Sequence, residues 1–335
     1  MKACVLSFFL LGWLSIQGNA QDSLGYIDAI VVDYPTRPLT TKSLCKRINR
    51  DFTTDAERAR AIYAWIALNV RYDVKQYLKH PSGGAPRRFK SEKAVERWHN
   101  RIAVKAFWRK KAICEGYSRL YKKMADLCSL ECRMVNGEAK TELFDIGNTR
   151  FRSNHAWNAV KINGEWYLLD ATWGAGGVGD IEIKRWWQRK PKKKEVFVKG
   201  FRPYYFFTHP DTFFLKHFPQ DTSMLLTARS YEDFSNLPLT YSEMLERGLM
   251  YTDSLQGVLW ANYGDTISIT LNGLYDFKDI EFRFNRERWD HSAFEARNVD
   301  GGFEFTFINP YQNGGYLIVY WRNVPYCAYR IKPMQ

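Results

Sequence analysis

The chain has 335 residues, of which 45% are hydrophobic, 16% aromatic and 25% charged. This composition supplies enough apolar side chains for a large core and excludes a disordered or fibrous protein. The 49 Lys and Arg residues exceed the 36 Asp and Glu residues, which gives a net charge of +13. A basic surface can attract nucleic acid, anionic lipid or an acidic polymer, so charge alone does not choose a partner.

The first twenty residues have the pattern of a secretory signal peptide. Lys2 gives a basic start, residues 5–14 form an apolar run, and small residues follow at 18–20. The run is shorter than the roughly 18 apolar residues that a membrane helix needs. We therefore expect residues 1–20 to be removed and the mature chain, without a transmembrane segment, to be secreted, periplasmic or in the cell envelope. Export argues against nucleic acid as a partner, because most nucleic acid lies inside the cell.

Helical and basic segments follow. Residues 54–70 place their apolar positions close to one helical face, and Thr54 with Glu57 fits a capping box. Residues 79–111 contain eleven Lys or Arg residues against two Glu, and they predict a loop followed by a basic helix. A further helix is predicted from Cys114, where apolar residues recur at three- and four-residue steps.

A β-hairpin is predicted where the period of the sequence changes. Residues 155–162 and 165–172 are rich in strand-forming residues, and the Asn163-Gly164 pair between them is a strong hairpin signal. The segment 185–202 carries eight Lys or Arg residues and one acid, and we expect it to be a loop.

The hairpin register makes a prediction about two side chains. A two-residue turn pairs Ile162 with Glu165, which in turn sets Trp157 opposite Asp170. His155 and Asp170 then project to the same side as diagonal neighbours, within reach of pairing. A carboxylate in that position would fix the imidazole tautomer and stabilise its protonated form.

Helical periods mostly vanish after about residue 225, and short strand-like runs with turn residues between them take their place. This pattern predicts a small antiparallel sandwich. We therefore expect an α+β domain over residues 21–222 and an all-β, sandwich-like domain over residues 223–335. The six runs are 257–262, 266–272, 279–285, 302–307, 315–321 and 326–331.

The cysteines point to one nucleophile. Of six, Cys4 lies in the signal peptide, and the remaining odd number indicates at least one thiol without an intrachain partner. Cys114 opens a helix directly after the basic residues 109–111, and both features stabilise a thiolate. Together with His155 and Asp170, this thiol suits acyl transfer through a thioester.

The other four cysteines make an even set. They permit two disulfides in any of three connectivities, or buried thiols. The set is Cys45, Cys128, Cys132 and Cys327.

Three ordered motifs resemble those of a known family. They are residues 112–117 (AICEGY), 154–158 (NHAWN) and 169–174 (LDATWG), with a lead-in at 65–73 (WIALNVRYD). They resemble the core motifs of the transglutaminase-like superfamily, and the kyphoscoliosis-peptidase-like group is the most similar branch. The resemblance covers roughly residues 45–220.

The resemblance implies a papain-like fold, in which a helix-borne Cys packs on an antiparallel sheet that carries His and Asp. It implies Cys114 as nucleophile, His155 as general base and acid, and Asp170 as the orienting residue. The sequence departs from the family motif at two positions, and each change replaces one small residue by another. Ala112 stands where members often have Gly, and Ser118 stands where they often have Ala.

Together these features predict a secreted cysteine-dependent acyl-transfer enzyme that acts on protein or peptide amides. Hydrolysis is slightly favoured over cross-linking, because water is abundant. The backbone N–H of Cys114 is the expected oxyanion donor, and the indole of Trp108 is a candidate second donor. No cofactor or metal is expected, since the His residues are scattered and no His-Glu-x-x-His or paired Cys-x-x-Cys motif occurs.

An alternative is a non-catalytic envelope protein that uses the same fold as a scaffold for binding. The two basic segments make an anionic envelope polymer a candidate partner in either case, although such segments also serve simply as solvated faces.

Overall fold

The computed structural model describes residues 23–36, 40–79, 89–183, 192–246, 256–273, 277–285, 287–288 and 294–334. The predicted signal peptide, residues 1–20, lies outside the described residues. Within the described ranges, no helix combines the length and the apolar character that crossing a bilayer requires.

The chain divides into two compact units. Unit 1 contains the described residues up to 137 together with 153–210 and 219–226. Unit 2 contains residues 138–152, 211–218 and those from 227 onward. The domain boundary between residues 222 and 223 stays a prediction.

Helices make up the first part of unit 1, and the sequence predicts their ends well. In the third helix the Thr54 side chain accepts from the backbone N–H of Glu57, while the Glu57 carboxylate accepts from that of Thr54, as the capping box requires. Every residue of this helix from Ala59 to Ala67 is buried, so it forms the centre of the unit. The helices are α1 (Gly25–Val32), α2 (Thr41–Asp51), α3 (Asp55–Asn69), α4 (Val74–Lys79), α5 (Glu92–Arg109), α6 (Cys114–Leu127) and the short α7 (Ala171–Gly174).

A five-stranded sheet packs against these helices. The strands of this part are β1 (Arg71–Tyr72), β2 (Lys111–Ala112), β3 (Cys132–Ala139), β4 (His155–Ile162), β5 (Glu165–Leu169), β6 (Gly176–Ile183), β7 (Lys192–Lys199), β8 (Phe206–Thr208) and β9 (His217–Pro219). The strand order of the five-stranded sheet is β8-β5-β4-β3-β9. Separate from it are a short parallel pair, β1 and β2, and an antiparallel hairpin, β6 and β7.

Strand β7 corrects one expectation. Its lysine-rich sequence led us to expect a loop over residues 185–202, but residues 192–199 pair with β6 along their whole length. The alternating Val196 and Val198 supply the β-branched residues that favour a strand. Residues 184–191 lie outside the described part of the chain.

The hairpin formed by β4 and β5 has the predicted register. Ile162 pairs with Glu165, and Asn163 and Gly164 both have positive φ angles, as the tight turn requires. The second strand was predicted too long: it ends at Leu169, not at residue 172. The reason is that Asp170 caps the helical turn α7 instead of continuing the ladder.

Unit 2 contains two further sheets, which confirms an α+β chain with a C-terminal β domain. Their strands are β10 (Leu239–Thr240), β11 (Val258–Trp260), β12 (Thr266–Asn272), β13 (Ile280–Phe284), β14 (Glu287–Arg288), β15 (Phe294–Val299), β16 (Gly302–Ile308), β17 (Gly315–Trp321) and β18 (Val324–Lys332). One sheet has the order β10-β18-β17-β13-β14, with β11 also paired to β18, and the other has the order β12-β16-β15. Short helices α8 (Pro210–Phe214), α9 (Tyr231–Asn236) and α10 (Ser242–Glu246) lie between residues 210 and 246.

The two sheets of unit 2 share an aromatic core. The ring centroid of Phe282, on β13, lies 5.2 Å from that of Phe305, on β16. Each predicted strand-like run contains a strand. Two details differ from the prediction: β11 pairs with β18 in parallel, and β15 was missed because half of its residues are polar and exposed.

Gly116, in α6, allows α5, β2 and α6 to approach closely. A Cβ atom at this position would lie 2.6 Å from the Cβ of Ala112 and 3.6 Å from that of Ala106. Ala112 cannot move aside easily, because its carbonyl accepts from the Asp73 N–H and its strand is paired with β1.

We expect Gly116→Ala to lower the free energy of unfolding by about 1–3 kcal/mol, since the clash outweighs the higher helix propensity of alanine. Chemical denaturation measures this change. Gly25→Ala is the matched control: Gly25 also lies in a helix, but a Cβ there meets nothing within 4 Å. Equal stability of the two variants would contradict the packing argument.

Candidate active site

Backbone hydrogen bonds on both sides of β2 fix the position of Cys114. The N–H of Arg71 donates to the carbonyl of Lys110, and the N–H of Asp73 donates to that of Ala112, at 2.9 and 2.8 Å. Helix α6 begins two residues later with Cys114, and its N-cap residue, Ile113, offers no side-chain cap. Cys114 is partly exposed, whereas the other cysteines in the described part of the chain are buried.

Asp170 is fully buried, and its carboxylate joins a helix end to an imidazole. One oxygen, Oδ1, accepts from the backbone N–H groups of Thr172 and Trp173, at 2.8 and 3.2 Å. The other, Oδ2, lies 2.8 Å from Nε2 of His155. The negative charge is therefore held at the positive end of α7, a favourable position for it.

His155 is held by rings as well as by the carboxylate. The indole of Trp173 stacks on the imidazole, with 5.0 Å between centroids and 23° between planes. Trp157 lies on the same strand with its ring centroid 6.1 Å away. The ring has two neighbouring aromatic surfaces and a fixed hydrogen bond at Nε2, so its orientation is defined before any substrate binds.

The electrostatics favour a charged imidazole. Burial of the ring opposes protonation, but the charge and hydrogen bond of Asp170 and the hydrogen bond with Cys114 outweigh it, and they raise the pKa of His155 to about 10. The predicted meeting of His155 with Asp170 is confirmed. Cys114 is close enough to the same ring to contribute to its raised pKa, and the catalytic roles of the three residues stay predictions.

Two supporting residues lie within the motifs but were given no role by the sequence. The buried Asn158 donates to the carbonyls of Ser118 and Arg133, at 3.1 and 3.3 Å, and so ties α6 to the sheet. Gly174 lies under the hydroxyl of Tyr63, where any side chain would collide. A buried amide on an apolar strand and a glycine after an aromatic residue are signals that could have identified both.

Tyr72 is a residue that the sequence analysis missed. In the β1–β2 pair it stands opposite Ala112, two residues before Cys114. Burial raises its pKa, and the charge of Cys114 is the next largest cause, which puts the partly buried phenol within electrostatic reach of the thiol. Trp108, the candidate oxyanion donor, lies near the end of α5 and is 57% exposed.

Comparisons with known proteins find similarity over this region. Residues 42–171 match the family model described as the transglutaminase-like superfamily. Kyphoscoliosis peptidase of Homo sapiens is 30% identical over 203 residues, which are 59% of this chain and 26% of that protein. The Mus musculus protein of the same name is 28% identical over 227 residues, 65% of this chain and 30% of its own.

Hillarin of Drosophila melanogaster is 24% identical over 229 residues, which are 66% of this chain and 25% of that protein. The chain therefore spans between a quarter and three tenths of the length of these relatives. The matched segment contains all three predicted site residues.

The protonation of His155 provides a direct test of this arrangement. The ring should titrate near pH 10, whereas an unfolded His titrates near 6.5. Because the folded state holds the proton more tightly, the stabilisation from this group is complete below about pH 6.5 and is lost as the pH rises through about 10. NMR of the imidazole nitrogens measures the titration.

Asp170→Asn keeps an oxygen that can cap α7 but removes the charge, so we expect His155 to titrate lower by about 1–3 pH units. Asp126→Asn, which alters an exposed ion pair with Lys122, is the control and should leave the titration unchanged. Titration of the wild-type ring near 6.5 would contradict the assignment.

Proposed function

Because the chain carries a transglutaminase-like domain at residues 42–171, we propose that it is a cysteine-dependent enzyme that transfers acyl groups from protein or peptide amides. Members of this superfamily are cysteine-dependent acyltransferases or peptidases. The observation that carries the proposal is the His155 imidazole, which is hydrogen-bonded to the buried Asp170 and whose pKa is also raised by Cys114.

In the proposed reaction His155 holds the proton that Cys114 has given up, and the thiolate attacks the amide carbonyl carbon. Asp170 occupies Nε2, so Nδ1 is the nitrogen that exchanges protons with the thiol and the substrate. Protonated His155 then donates to the leaving amine, and a thioester forms on Cys114. Attack of water on the thioester, with His155 as base, releases a carboxylic acid and restores the thiol.

Two groups are proposed to stabilise the oxyanion. The backbone N–H of Cys114 lies at the start of α6, where the helix dipole favours negative charge. The hydroxyl of Tyr72 is the second proposed donor, because the β1–β2 pairing places Tyr72 opposite Ala112, two residues before Cys114.

The type of reaction, the export of the chain and its polymer partner are also proposed. Hydrolysis is favoured over amine transfer because water is abundant and because two similar proteins are named peptidases. Export rests on the pattern of residues 1–20. An anionic envelope polymer is a proposed partner, since Lys193, Lys194 and Lys199 are exposed on β7.

We expect iodoacetamide to label Cys114 ahead of the other cysteines in the native protein. His155→Ala should slow this labelling about tenfold or more near pH 7, because the imidazolium that stabilises the thiolate is lost. Peptide mass spectrometry measures the rate at each cysteine. Labelling of the urea-unfolded proteins is the control and should not distinguish the two variants, whereas equal rates in the folded proteins would argue against an activated thiol.

Reaction with a small activated ester distinguishes the proposed enzyme from the non-catalytic scaffold. With p-nitrophenyl acetate the wild-type chain should release p-nitrophenol and carry an acetyl group on Cys114, and Cys114→Ala should do neither. An activated thiol that never becomes acylated, by the ester or by peptide amides, would favour the non-catalytic alternative.

Tyr72→Phe should lower the rate of acylation by p-nitrophenyl acetate on the order of 100-fold, the usual loss for one oxyanion donor. The rate of alkylation by iodoacetamide should stay unchanged, because that reaction forms no oxyanion. Tyr77→Phe is the matched control, since its ring lies 6.0 Å from that of Tyr72. A loss for Trp108→Ala instead would assign the second donor to the indole.

A further inference from the structure

Two buried cysteines of unit 1 lie side by side. Cys45, on α2, points its sulfur at the carbonyl of Met124, 3.6 Å away. The N–H of Cys128 donates to the same carbonyl at 3.0 Å. The Cys45 sulfur is therefore at most about 6.6 Å from the backbone nitrogen of Cys128, which is close enough for two side chains to meet.

The two thiols lie close enough to shift each other's pKa, with that of Cys45 raised and that of Cys128 lowered. Cys45 is 1% exposed and Cys128 is fully buried, and apolar residues of α2, α3 and α6 surround them in the core of unit 1. Cys132 differs, since its sulfur accepts from the amide of Asn158 at 3.8 Å. The structure thus selects one pair from the connectivities that the sequence left open.

We propose that Cys45 and Cys128 form a disulfide when the chain folds in an oxidising compartment. The oxidant is an external disulfide, such as that of glutathione or of a thiol–disulfide oxidoreductase. A Cys thiolate attacks one sulfur of that disulfide and releases a thiol, and the second Cys then displaces the other half as a second thiol. Two electrons and two protons pass to the oxidant, and one S–S bond forms within the chain.

The position of the bond explains what it would stabilise. It closes a loop of roughly 80 residues and ties α2 to the end of α6. Because Cys114 is the first residue of α6, the bond would hold the far end of the helix that positions the nucleophile. Burial means that oxidation precedes completion of the core and that the finished bond resists reductants.

The test is peptide mapping of the full chain. The unfolded, reduced protein is refolded in a buffer of reduced and oxidised glutathione, and free thiols are then blocked with N-ethylmaleimide in denaturant. We expect mass spectrometry to find the Cys45 and Cys128 peptides linked and Cys132 blocked. Blocked Cys45 and Cys128, or glutathione on either one without a link, would overturn the proposal.

Thermal unfolding gives an independent measure. Unfolding in the presence of a strong reductant should lower the melting temperature of the oxidised protein by about 5–15 °C. Cys45→Ala should abolish this dependence on reductant, whereas Cys132→Ala, the matched buried control, should retain it. A reductant effect that persists in Cys45→Ala would also refute the proposal, whatever the chemistry at Cys114.

Discussion

The candidate site depends on one buried carboxylate that has two structural roles. Asp170 ends β5 by capping α7 with Oδ1, and it holds the His155 imidazole with Oδ2. Since both oxygens form hydrogen bonds, the carboxylate is held in one conformation, and it in turn fixes the orientation of the His155 ring. The same carboxylate therefore both ends the strand and stabilises the charged imidazole.

Local signals predicted much of this arrangement. The Asn163-Gly164 turn fixed the hairpin register, and the register brought His155 and Asp170 to the same side. The predicted length of the second strand was wrong, because Asp170 caps α7 and thereby ends the strand at Leu169. The side chains met even so, since a carboxylate at a strand end can still reach its diagonal neighbour.

Contacts between residues that are distant in the sequence could not be predicted from such local signals. Tyr72 comes near Cys114 only through the β1–β2 pairing, and each of those strands has just two residues. The proximity of Cys45 and Cys128, which share the Met124 carbonyl, depends on how α2 packs against α6, and hydrophobic periodicity does not encode that packing. Strand β7 was missed because a run of charged residues was interpreted as a loop. Its pairing with β6, which the local sequence does not reveal, makes this segment a strand.

The double use of Asp170 makes the three site residues unequal under mutation during evolution. Loss of the partly exposed thiol at residue 114 would remove the proposed chemistry but little packing, so this change would cost the fold little stability. Replacement of Asp170 by an apolar residue would leave the N–H groups of Thr172 and Trp173 without their acceptor, at a cost of about 1–3 kcal/mol or more. We therefore expect inactive homologues to retain this aspartate even where the cysteine has been replaced. The presence of the aspartate alone does not show that a homologue is active.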